Sequence, residues 1–169
     1  NTQVVQRALQ YASTFGYTVW LRPQDYHLGK GVAASGPFAT RMGLAGVPVA
    51  AETIALHTIF ELMRSTGARV HLCRLSSAAG VELVRKAKAE GLAVTCDVSI
   101  NSLHLSDVDM GYFDSRTRLT PPLRQTRDYL GWLAQAIRIG AESGQDMTEL
   151  FQTPIPQRFA GLALVQEEF

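Results

Sequence analysis

Three short apolar runs, TVWL (residues 18–21), RVHLCRL (69–75) and LAVTCDV (92–98), alternate with stretches of helical periodicity. No other property of the chain restricts its fold as much. A strand that returns parallel to its neighbour needs a crossover of a dozen or more residues, usually a helix. Residues 3–15 set Val5, Ala8, Leu9 and Ala12 on one helical face and stop at Gly16. Residues 52–66 do the same with Ala55, Ile59, Leu62 and Met63, ending at Gly67. Ser76 or Ser77 can cap a third helix that runs to about Glu90, with Val81, Val84 and Ala87 inward and Gly91 as its stop. A fourth is expected from about Thr126, carrying Leu130, Leu133, Ala134 and Ile137. The second and third strands are nearly continuous apolar runs, the pattern of strands covered on both faces. The predicted class is α/β with a parallel sheet. Ligands in such sheets gather at the C-terminal strand ends, here residues 22–28, 74–77 and 98–104.

Charge narrows the function. Sixteen Lys and Arg against fifteen Asp and Glu leave a net charge of +1 with no basic stripe, which excludes a phosphate-tracking nucleic-acid surface. No apolar run approaches the roughly 20 residues of a membrane span, and no secretory leader is expected. Cys73 and Cys96 lie in the strand-like runs without zinc-site spacing, so they are expected to be buried, reduced thiols of a cytoplasmic protein.

Three loops could carry chemistry. LRPQDYHLGKG (21–31) places Lys30 between two glycines but lacks GxxxxGK(S/T), so it is a surface loop with a proline turn and no phosphate cradle. In CRLSSAAG (73–80) the serines serve as helix caps, since neither GxSxG nor a paired histidine is in place for a nucleophile. In DVSINSLHLSD (97–107) His104 alternates with leucines, the setting of a partly buried, hydrogen-bonded histidine. The remaining histidines are His27, His57 in a helix and His71 in mid-strand, and they are not expected to converge on one strand-end face.

Three segments together carry a resemblance. GLAGVPVAAETIAL (43–56), TGARVHLCRLSSAAGVELVRKAKAEGLAVTCDVSINSLHLSD (66–107) and TPPLR (120–124) resemble the dihydroorotase family of the amidohydrolase superfamily, colinearly from about Val4 to Leu133. The match includes that family's Gly-x-x-Gly-Ile/Val-Pro-x-x-Ala-Glu segment and its Val-Thr-Cys-Glu/Asp-Val strand. The resemblance implies part of a (β/α)8 TIM barrel of the metal-dependent hydrolase type, with about strands five to seven present. It also implies a hydrolase of pyrimidine biosynthesis that interconverts carbamoyl aspartate and dihydroorotate, using zinc held by histidines, a carboxylated lysine and an aspartate.

The departures from that pattern set the functional expectation. Where the family's strand reads His-x-Cys-His, the second histidine is Arg74. Where a Pro-His-His run follows the next strand, the chain has Ile100, Asn101 and Ser102. A substrate-touching asparagine is replaced by Thr120, and His-x-Glu-Asp after the first strand by Arg22-Pro23-Gln24-Asp25. Arginine neither loses its proton nor ligates a metal, and its fixed charge repels one. The expectation is therefore a pseudoenzyme with no catalytic residues, no metal and no cofactor at the strand ends. It is expected to be an oligomer and, as inactive family members are, a structural partner of aspartate transcarbamoylase. Tyr112, Phe113, Arg116 and Arg118 of the long loop are the candidate anchors. The alternative is an active zinc amidohydrolase with atypical ligands. The barrel portion is expected over residues 1–160, with a stretch near 138–145 missing relative to the family, and TPIPQRFAGL leading into a small β domain at 161–169.

Overall fold

The computed structural model describes residues 1–112 and 114–128, which belong to one compact unit, Asn1–Leu130. The elements run α1 (Thr2–Thr14), β1 (Thr18–Leu21), β2 (Ala33–Ala34), α2 (Pro37–Arg41), β3 (Gly46–Val47), α3 (Ala50–Thr66), β4 (Arg69–Leu75), α4 (Ala78–Ala89), β5 (Val94–Val98) and α5 (Ile100–His104). Short 3-10 turns follow at Asp107–Met110, Ser115–Thr117 and Thr126–Asp128.

The main sheet has the order β1-β4-β5, parallel throughout, so spatial neighbours follow chain order and each crossover carries a helix. This is the repeating unit of a TIM barrel. The helices build one core against one sheet face. Leu9 of α1, Leu56, Ile59, Phe60 and Met63 of α3 and Val84 and Ala87 of α4 enclose Val70, Leu72, Leu75 and Val94. Ala8 departs from its expected inward place and is exposed, because α1 turns only Leu9 and Ala12 fully under the sheet. Gly67 ends α3 at φ 66, a left-handed residue whose N–H returns to the Met63 carbonyl.

Burial in β4 alternates rather than running continuously. Val70, Leu72 and Leu75 are buried; Arg69, His71, Cys73 and Arg74 are not. The face opposite the helices carries Trp20, 70% exposed, beside His71. The expectation of two covered faces is thus met on one side only among the described residues.

The β1–β4 crossover is lengthened by β2, α2 and β3. Ala33, Phe38 and Ala39 of this excursion form a second small core with Met110 from beyond β5. Neither two-residue strand was expected. Nor was α5, which replaces part of the polar loop foreseen after β5; His104 stands exposed on it rather than partly buried. The fourth expected helix, the stretch near 138–145 and the boundary at 160–161 lie outside the described residues.

Candidate functional site

The strand-end region is organised by an irregularity in β4. Leu72 pairs with Cys96 and Leu75 with Val98, so Cys73 and Arg74 together face Asp97 alone. Two residues opposite one make a β-bulge, a device that re-aims side chains at barrel rims. The extra residue is Arg74, at φ 61, the left-handed region that costs a side chain about 1–2 kcal/mol. Its N–H donates to Asp97 Oδ1 at 2.8 Å, which fixes the bulge to β5.

Asp97 also meets His71, whose Nε2 lies 3.0 Å from Oδ2. The other ring nitrogen, Nδ1, lies 2.8 Å from Thr95 Oγ1, and the Trp20 ring packs at 4.6 Å. Parallel register creates this row, since Trp20 pairs with His71 and His71 with Thr95. Cys73 is the third reactive group here. Its thiol pKa is pushed up by desolvation and by Asp97, with Arg74 opposing. Both cysteines are free and half-buried, rather than fully buried as expected.

Behind the bulge lies a buried polar network. Both Glu52 carboxylate oxygens accept from the next turn: Oε2 from the N–H and hydroxyl of Ser76, Oε1 from those of Ser77. Arg124 Nε donates to the Ser76 hydroxyl at 3.0 Å and Nη1 to the Val47 carbonyl at 2.9 Å. Glu52 and Arg124 are thus a buried charge pair bridged by a serine. Burial pulls the Arg124 pKa down, against the opposing pull of Glu52 and Asp128. Ser77 is the helix cap, accepting from the Gly80 N–H, whereas Ser76 caps nothing and belongs to the charge network. Each of the three segments used for the resemblance supplies a member: Glu52 the first, Ser76 and Ser77 the second, Arg124 the third.

A cavity of about 10 Å³ lies among Arg22, Gln24, Glu52, Arg74, Pro121 and Arg124. It has room for roughly one water. Arg22 and Arg74 are therefore brought together at the strand ends, while Asn101, Ser102 and Thr120 do not line this space. Ser102 is buried on α5 and Thr120 is exposed. The loop at 21–31 is a built turn: Asp25 accepts from the N–H groups of His27 and Leu28. Of the proposed anchors, Tyr112 is 95% exposed, Arg118 is exposed, and Phe113 lies outside the described residues. Arg116 is exposed but already engaged by Asp114, whose carboxyl it holds below the usual range.

Sequence reasoning missed Glu52, Arg124, His71 and Asp97. It weighed whether histidines could meet one another, but His71 meets the Asp97 carboxylate instead, with the Cys73 sulfur within 4.8 Å.

Comparison with known proteins gives this geometry a lineage. No family model matches the chain. A dihydroorotase-like protein of Pseudomonas aeruginosa is 41% identical over 145 residues, which is 85% of this chain and 33% of that protein. A dihydroorotase of Mycobacterium leprae is 39% identical over 141 residues, 83% of this chain and 33% of that one. The chain belongs to the dihydroorotase family. It spans about a third of the length of these relatives. Among solved structures, the L-hydantoinase (dihydropyrimidinase) of Arthrobacter aurescens superposes with a TM-score of 0.67 at 20% identity, covering 80% of this chain and 31% of that enzyme. A D-hydantoinase from a Bacillus species gives 0.66 at 19%, covering 83% of this chain and 32% of that one. These likenesses show the fold alone, with the β1-β4-β5 unit as part of a TIM barrel. Among the described residues no helix is long and apolar enough to cross a membrane.

Proposed function

We propose that this chain is part of a dihydroorotase homologue that has lost zinc hydrolysis and persists as a structural partner of aspartate transcarbamoylase. Arg74 carries the reading. At the position where the resemblance expects a zinc-binding histidine, the bulge, its left-handed backbone and its Asp97 anchor are all present. The side chain they display is a guanidinium, which has five donors and no lone pair for a metal. A second cation, Arg22, lines the same cavity. The residues at the family's strand-end metal positions therefore do not fit zinc. Asn101 and Ser102 stand in the place of the second histidine run, and Thr120 in that of the substrate asparagine. Hydroxide generation near neutral pH requires about three protein ligands and an open position on the metal, which this set cannot supply.

A direct assay tests the reading. Full-length protein supplied with zinc should turn over neither carbamoyl aspartate nor dihydroorotate. Turnover in either direction that vanishes on altering a strand-end residue would overturn it. Replacing Arg74 and Asn101 by histidine should not restore activity unless every other ligand survives elsewhere in the full-length protein, because two ligands alone do not make a hydrolytic centre.

A further inference from the structure

We propose that His71, Cys73 and Asp97 form a binding site for one divalent zinc-class cation, on the sheet face away from the helices and distinct from the family's strand-end metal positions. Each residue offers one ligand atom, and these atoms lie within 4.8 Å of one another. No other group of three or more such residues occurs among the described residues. An imidazole nitrogen, a thiolate and a carboxylate oxygen suit zinc or cobalt(II) and do not suit magnesium or calcium, which take oxygen ligands.

The surroundings of the triad orient it. In the metal-free geometry Nε2–H donates to Asp97 Oδ2 and Nδ1 accepts from the Thr95 hydroxyl. Because that hydroxyl can also accept, the other tautomer, with Nδ1–H donating to Thr95 Oγ1, would free the Nε2 lone pair for a cation seated between His71 and Asp97. Hydrogen bonding at the far nitrogen is how metal-bound histidines are held. Asp97 is fixed likewise, because Oδ1 accepts from the Arg74 N–H and Oδ2 faces Nε2. Trp20 limits rotation of the imidazole from the other side. Binding would open the His71–Asp97 contact, release the Cys73 proton to solvent and leave a fourth position to water. Thiolate and carboxylate together neutralise a dication. Arg74 holds Asp97 through its backbone N–H and also lines the cavity beside Arg22, and its charge favours the Cys73 thiolate while opposing the bound dication, so the two anionic ligands have to outweigh it.

Register explains why the bulge matters to this site. In an unbroken β4, residue 73 would pair one for one with residue 97; the extra residue sets Cys73 and Arg74 jointly against Asp97.

The test is metal binding by the full-length protein, read without any activity, so its failure leaves the reading of catalytic loss untouched. Purified protein loaded with cobalt(II) should take up one equivalent and show the near-ultraviolet charge-transfer band of a cobalt thiolate. Cys73→Ser should abolish that band, and His71→Ala should release the metal. Thr95→Val, which keeps the fold and removes only the orienting hydroxyl, should weaken zinc binding about 10–100-fold in a chelator competition. Absence of a thiolate band in the unaltered protein would overturn the proposal. So would bound metal indifferent to Cys73→Ser and His71→Ala, which would place the ion elsewhere in the protein.

Discussion

Arg74 holds a backbone conformation that its side chain disfavours. At φ 61 its Cβ crowds the following carbonyl, a cost of about 1–2 kcal/mol that glycine does not incur. Such strain persists only where neighbours determine it, and here Asp97 accepts the Arg74 N–H while Leu72 and Leu75 pin the strand on either side. Arg74→Gly should therefore stabilise the protein by up to about 1 kcal/mol, the strain relief exceeding the entropy that glycine adds to the unfolded chain. Arg74→Val, branched at Cβ, should destabilise it. Urea midpoints at constant slope read both changes. Equal midpoints for the two variants would show that the left-handed conformation is not under strain.

Between elements, the contact that matters most is that of α3 with the start of α4. Glu52 lies in the first turn of α3, and its oxygens accept from Ser76 and Ser77 just before α4 begins. A methyl group at Gly80 would overlap Glu52 Oε1. Helix propensity alone makes Gly80→Ala stabilising by roughly 0.5–1 kcal/mol. The overlap makes it destabilising, by roughly 1–3 kcal/mol if the network shifts as an overpacked core does. The sign of the measured change in thermal or urea stability decides between them, and we expect loss. The elements themselves were largely legible. β1 and β4 have the expected bounds, and α1, α3 and α4 begin and end within two residues of theirs, because long periodic faces and stops such as Gly67 act locally. β2, β3 and α5 were not, since two to five residues without periodicity carry no pattern. The site was the least legible part. His71, Thr95 and Asp97 meet through parallel register, and Glu52 meets Arg124 across 72 positions through Ser76, relations that no local window contains. The bulge adds one residue to that register, which no alternation of apolar residues announces.

For the molecule as a whole, three parallel strands with helices on one face are a segment of a closed fold. A barrel removes sheet edges by closure, and its inner face is filled by side chains from every strand. Among the described residues the inner face of β1, β4 and β5 is still open at Trp20, His71 and Thr95. The recognition surface we propose lies instead on the loop after α5. Tyr112 stands 95% exposed, so it does not pin its own loop to the barrel, and a segment that exposes a tyrosine together with Arg116 and Arg118 has the composition of an interface anchor. Arg118 is exposed as well, while Arg116 is held by Asp114 and would have to exchange that partner on docking. An exposed ion pair of this kind is screened by solvent and contributes little, so the exchange is not prohibitive. Full-length protein should co-sediment with the aspartate transcarbamoylase of the same organism at micromolar concentration. Tyr112→Ala should weaken the complex more than Arg116→Ala, because truncating Tyr112 removes buried interface area whereas Arg116→Ala gives up a guanidinium already paired in the free protein. No complex at that concentration would remove the structural role. A complex unchanged by both substitutions would keep that role and move the interface away from this loop.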